Sequence, residues 1–119
     1  MASSDCLAEW CRDEDWCTIT CTAEIIGKKW HPVIVHRLLV NEALGFNALE
    51  EAVGGISSNV LSNSLDDLEA NGLVNREIVS EKPFRVEYSL TDPGEDLAPL
   101  IEAMGEWGEK HARPPGGET

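Results

Sequence analysis

With 119 residues, the chain has the length of one domain, enough to bury a real core with little left over. Twenty-two acids against nine bases give a net charge of −13 and a pI near 4.4. That balance ordinarily argues against nucleic acid, because phosphate neutralisation supplies most non-specific affinity. An acidic, lysine-poor surface is also what molar salt selects, since net charge keeps a protein hydrated and soluble. We read the composition as salt-adapted, of haloarchaeal type. No apolar run reaches the roughly 18 residues of a membrane span. The N-terminus carries acids where a secretory signal needs bases and an apolar centre, so a cytoplasmic protein with reduced thiols is expected.

Residues 1–16 form an acidic, cysteine-containing lead-in with Trp10 and Trp16 and no firm element. Residues 17–26 are apolar enough for a short helix closed by Gly27. A second helix is predicted to begin around Lys29 to Pro32, with Pro32 in its first turn, and to end near Asn41. There Val33, Ile34, Leu38 and Leu39 face the core, and Ala43-Leu44-Gly45 leads onward. Phe46, Leu49 and Val53 recur at i, i+3 and i+7, on one face of a third helix. Gly54-Gly55 breaks that pattern, and Ser57 or Ser58 can cap a fourth helix whose inner stripe is Leu61, Leu65 and Leu68. Asn71-Gly72 supplies the left-handed stop.

Two extended runs follow, 73–79 and 85–90, rich in β-branched and aromatic types. In the second, Val86, Tyr88 and Leu90 alternate with Arg85, Glu87 and Ser89, which predicts one buried and one wet face. Residues 80–83 make the turn between them, with a basic tip at Lys82. Thr91-Asp92-Pro93 then starts a last helix, with a capping side chain followed by proline. Leu97, Leu100, Ile101, Met104 and Trp107 or Gly108 recur along it to about Lys110. A stripe so apolar either folds back on the core or packs on another subunit. The chain thus divides into residues 1–16, a domain over 17–110, and a disordered tail over 111–119. Helix, tight turn, helix and β-hairpin together predict an α+β, mainly helical winged helix-turn-helix, the arrangement that lays one helix in a major groove and a wing beside the backbone.

The distribution of charge supports that reading. Residues 52–65 contain no acid, and this gap spans the turn and the first half of the fourth helix. Its short polar side chains, Ser57, Ser58, Asn59, Ser62, Asn63 and Ser64, suit base edges and phosphates. Lys28, Lys29, Arg37, Arg76, Lys82 and Arg85, six of the nine bases, lie in or beside the segments framing that surface. Lys82 and Arg85 flank the wing tip, where they are expected to grip DNA, with Lys28 and Lys29 as further contacts. The alternative for the hairpin bases is pairing of Arg76 and Arg85 with Glu87 and Glu77 across the strands, worth little at a surface.

Several local signatures coincide with those of a known family. Ile25-Ile26-Gly27-Lys28-Lys29-Trp30 resembles the IGGKW signature of HxlR-type transcriptional regulators, and Phe46-Asn47-Ala48-Leu49 resembles their RFNEL. The pattern Gly55-Ile56-Ser57…Leu61…Leu65…Leu68-Glu69…Gly72-Leu73-Val74…Arg76 is similar to GIS…L…L…LE..GLV.R. Pro83…Val86-Glu87-Tyr88-Ser89-Leu90-Thr91…Gly94 and Trp107-Gly108 complete the match. The resemblance implies a winged-helix homodimer with N- and C-terminal dimerisation helices, bound to a palindromic site near a promoter. By the same resemblance Trp107, Met104, Ile101 and Leu100 belong to the interface, and Cys17 senses electrophiles or oxidants in some members. The chain departs from the pattern at Asn59, Ser64 and Asp66, where the family usually has arginines, and at Thr18, where proline follows the sensing cysteine. At molar salt phosphate charge pairs lose most of their counterion-release advantage, so neutral hydrogen-bonding groups are a physically reasonable replacement.

Cys6, Cys11, Cys17 and Cys21 all fall within the first 21 residues. Redox switching, a soft metal such as zinc, and inert buried thiols are the three readings. Helical spacing puts Cys17 and Cys21 on one face with Cβ atoms about 6 Å apart, long for an unstrained disulfide but workable for two metal ligands. Against zinc, the spacing lacks the CxxC knuckles of most structural sites. Nearby acids disfavour the reactive thiolate, and only Lys28 and Lys29 oppose them. His31, His36 and His111 are scattered, and nothing arranges a nucleophile, base and oxyanion site, so an enzyme is not expected. The expected partners are double-stranded DNA, a second copy of the chain and a small electrophile or oxidant. The competing reading is a winged-helix protein-interaction module without DNA binding, or a zinc-stabilised or small-molecule-responsive regulator.

Overall fold

A computed structural model of the chain describes the backbone of residues 14–112 and the side chains of 18–112. Helix α1, Glu14–Ile26, ends at Gly27, and α2, His31–Asn41, starts with proline in its first turn as the sequence predicts. A one-residue reversal at Glu42, with φ of 69°, turns the chain into a short strand β1, Ala43–Gly45. Then come α3, Phe46–Val53, and α4, Ser58–Ala70, joined through Gly54 and Gly55. Strands β2, Val74–Glu81, and β3, Phe84–Leu90, form the hairpin. After it lie the single turn α5, Asp92–Glu95, and α6, Ala98–His111.

The α4 stop follows from backbone chemistry. Leu73 N donates to Leu68 O and Gly72 N to Glu69 O, both at 3.0 Å. These satisfy carbonyls that the helix end leaves over, and buried Leu68 and Leu73 close the apolar side of the motif. The motif needs a left-handed residue, and Gly72 takes it at φ of 78°.

All strand pairs are antiparallel, in the order β1-β3-β2. The sequence reading has Ala43-Leu44-Gly45 as a connector; instead Leu44 pairs with Tyr88 and Gly45 with Glu87. Three residues are too few to show a period-2 signal, and only the presence of β3 makes them a strand. A second difference lies after the hairpin, where one helix is predicted and two form. Thr91 does cap the first, its Oγ accepting Gly94 N at 3.1 Å. Pro99 interrupts the continuation, because it has no N–H for Glu95 O and its ring crowds that carbonyl. It is accommodated in the first turn of a new helix instead.

The core gathers Ile34, Val35 and Leu38 of α2, Leu49 and Val53 of α3, and Leu61, Leu65 and Leu68 of α4 around Leu73, Val74, Leu90 and Ile101. Val35 is fully enclosed where Val33 and Leu39 are expected, and these two pack at its edge. On β3, Leu90 is buried and Val86 and Tyr88 are half-buried, while Arg85 and Glu87 are exposed; the alternation read from sequence breaks at Ser89, which is half-buried beside its partners Ala43 and Asn75. The α6 helix includes His111, placed by sequence in the tail, with its ring 5.1 Å from that of Trp107.

Candidate nucleic-acid interface

The first turn of α4 is built by its own side chains. Ser57 is the N-cap, with extended backbone and an Oγ that accepts Val60 N at 3.2 Å, one of the donors a helix start leaves unpaired. Ser58, Asn59, Ser62 and Asn63 are exposed along the same half of the helix. Ser64 is not with them. Three residues after Leu61 and four before Leu68, it lies on the inner face and is buried, which corrects its assignment to the solvent-facing set. The acids of α4, Asp66, Asp67 and Glu69, stand in its second half.

Folding changes one element of the acid-free stretch. Glu50 of α3 reaches across the turn, and its Oε2 accepts the Ser58 hydroxyl at 2.9 Å. A carboxylate thus sits at the start of the helix that has no acid of its own there, a position favoured by the helix dipole. No spacing rule reveals such a contact across a turn.

Lys28 and Lys29 make contacts within the chain. Lys28 Nζ is 3.9 Å from Asp67 Oδ2, an exposed pair of small energetic weight, and Lys29 Nζ lies 4.8 Å from the Trp30 ring centroid. His31 Nε2 approaches the same Asp67 oxygen at 3.9 Å, while its Nδ1 is 2.9 Å from Ile25 O. Arg37 Nε donates to Ala52 O at 2.8 Å, fastening α2 to the end of α3.

The hairpin turns tightly at Lys82-Pro83, whose peptide is cis. Lys82 and Arg85 are exposed. Among the described residues neither Arg76 nor Arg85 has an ion pair, so the cross-strand pairing with Glu87 and Glu77 does not form. The register explains it: Arg76 faces Tyr88, Arg85 faces Ser80, and Glu77 faces Glu87, with a bulge between Ile78 and Ser80. A cleft of about 520 Å³ separates the hairpin from the start of α3, with Asn47, Arg76, Phe84, Arg85 and Tyr88 on its walls. Arg76, left out of the sequence-derived site, stands there with Arg85.

Of the residues expected at a subunit interface, Ile101 is buried in the chain's own core and Leu100 is half-buried. Met104 and Trp107 remain 42% and 63% exposed. Cys21 of α1 is half-buried and disulfide-bonded. Cys6, Cys11 and the Cys17 side chain lie outside the described residues. Among the described residues no three His, Cys, Asp or Glu side chains are grouped to hold a metal, and no helix is long and apolar enough to cross a membrane.

A helix whose free first turns carry short hydrogen-bonding groups, beside a hairpin with a basic tip, defines a class, the winged helix-turn-helix transcription regulators. Within it, the chain belongs to the HxlR-like helix-turn-helix family, whose model matches residues 25–115. An uncharacterised regulator of Bacillus subtilis, YvaP, is 42% identical over 84 residues, covering 71% of this chain and 77% of that protein. The reduced form of the redox regulator HypR is similar with a TM-score of 0.72 at 34% identity, covering 78% of this chain and 91% of that one. Reduced YodB from B. subtilis, a transcriptional regulator also solved with quinone bound, has a TM-score of 0.70 at 29% identity, covering 85% and 96%.

Proposed function

We propose that this regulator binds a palindromic double-stranded DNA site as a homodimer and that oxidation of its N-terminal thiols alters that binding. The observation carrying the DNA part is the exposed first half of α4, which has no acid of its own, with Ser57, Ser58, Asn59, Ser62 and Asn63 facing solvent in a chain of net charge −13. Lys82, Arg85 and Arg76 of the wing add phosphate contacts, with Lys28 and Lys29 at the flank. Surface charge of this kind suits function in concentrated salt. The dimer reading draws on the exposed Met104 and Trp107 of α6 and on Ile19 of α1, 66% exposed, all apolar groups without cover in the single chain.

Sensing draws on the four clustered cysteines, on the disulfide-bonded state of Cys21, and on likeness to a redox regulator. In the reaction two thiols lose two protons and two electrons to a hydroperoxide, which leaves as water and an alcohol, and one S–S bond forms. Because α1 adjoins the proposed interface, the change rotates one recognition helix against the other. Half-sites spaced about one helical turn apart then no longer dock together.

The test is a mobility-shift assay against a promoter pool in molar potassium salt, with thiols reduced and then oxidised. Reduced protein is expected to retard a subset of fragments, Asn59→Asp to retard none, and oxidation to change the affinity in wild type but not in Cys17→Ser. Equal affinity in every redox state removes the sensor reading. Failure across the pool at a salt concentration that screens repulsion removes the DNA reading and favours a protein-interaction role, which the exposed Ile78, Val79 and Phe84 of the wing would serve.

A further inference from the structure

Two neighbouring hydroxyls at the start of α4 have their protons committed in opposite ways. Ser57 Oγ accepts the Val60 N–H, so its own proton remains available to donate. Ser58 Oγ gives its single proton to the Glu50 carboxylate at 2.9 Å. A hydroxyl has one proton and an ionised carboxylate none. Ser58 therefore meets whatever approaches it with lone pairs only, next to a carboxylate that also offers only lone pairs.

We propose that Glu50 is the specificity-determining residue of the DNA site described above: by holding the Ser58 proton it makes the first turn of α4 an acceptor pair for a base amino group, cytosine N4 or adenine N6. The inference rests on the DNA-binding reading and adds which chemistry that turn selects. In the major groove guanine offers only the acceptors N7 and O6, and thymine an acceptor and a methyl group, so neither has a proton for Ser58 or Glu50. Phosphate oxygens are acceptors as well and carry charge, so the same pair turns the backbone away. Which effect dominates depends on salt. With a Debye length of about 3 Å in molar salt, distant repulsion between Glu50 and phosphate is largely screened. Hydrogen-bond mismatch at contact is not screened, and base discrimination persists while the electrostatic penalty fades.

The experiment is enrichment of duplexes from a randomised pool in molar potassium salt by the full chain, by Glu50→Gln and by Ser58→Ala, each with its melting curve. The wild type should enrich cytosine or adenine at one position per half-site, and guanine or thymine there should weaken binding about tenfold. In Glu50→Gln the amide can itself donate to Ser58, which releases the hydroxyl proton. The preference at that one position should collapse to about twofold or less, while the other positions stay as they were, and non-specific affinity should rise about threefold at moderate salt. Ser58→Ala removes one acceptor of the pair and keeps the Glu50 carboxylate, so it should weaken the same preference in part, and that partial loss decides the matter if Glu50→Gln fails to fold. An operator enriched unchanged by either folded variant overturns this inference and leaves DNA binding standing. A wild-type chain that enriches no sequence overturns both.

Discussion

The imidazole of His31 is 2% exposed, and its two nitrogens face different parts of the fold. Nδ1, 2.9 Å from Ile25 O, must be the protonated nitrogen there, since a carbonyl only accepts. Nε2 points toward Asp67 of α4. One side chain thus fastens the end of α1 to α2 and leans on the flank of α4. Replacing it by Phe keeps much of the volume and leaves the Ile25 carbonyl without its partner, at a cost of about 1–3 kcal/mol. A thermal or denaturant melt of His31→Phe should show that loss, and an unchanged midpoint would mean the bond contributes nothing. Gly94 is a second such residue. A Cβ there would stand 2.3 Å from Leu73 O, closer than any real contact, because Thr91 N and Gly94 both approach that carbonyl. Gly94→Ala should destabilise by about 1–3 kcal/mol through forced backbone movement, read from the same melts. Neither demand is legible in the chain as a string: a histidine on a helix has no visible burial until the helix has a face to bury.

Among the elements, the wing is the least settled by its own composition. Its register sets Glu77 directly opposite Glu87, a like-charge pair that weakens a hairpin, while Arg76 and Arg85 point elsewhere. Glu77→Lys turns that pair into an attractive one and should stabilise the hairpin by about 0.2–1 kcal/mol. If the new charge reaches phosphate, the slope of log affinity against log salt steepens by about 0.9. A melt and a salt series measure the two effects separately, and a lower melting point would count against the register. The helices of the reading motif were easier to read, because Ser57, Leu61, Leu65, Leu68 and Gly72 are local signals of cap, stripe and stop. The last helix was not, because Thr91 is a sound cap but the break at Pro99 shortens what it starts to a single turn.

For the whole molecule, the uncovered apolar side chains of α6 and α1 bear on assembly, and the buried Ile101 separates two roles the sequence had merged. Trp107→Glu places a charge on the proposed interface without touching the core, so light scattering after gel filtration should show a monomer with near-normal melting. Ile101→Ala instead removes a core side chain, and its effect should be on stability, about 2–5 kcal/mol. A dimer that survives Trp107→Glu would move the interface off this end of α6. The helix-turn-helix, the wing and the family were determined by the sequence alone, since helical period, capping residues and turn residues act within a few positions of one another. The tertiary structure alone decided that Ala43–Gly45 is a strand, that Ser64 and Ile101 face inward, that Lys28 lies against Asp67, and that Glu50 holds Ser58. Each of these depends on which segments fold against one another across a turn or a sheet, and that partnership exists only once the core has closed.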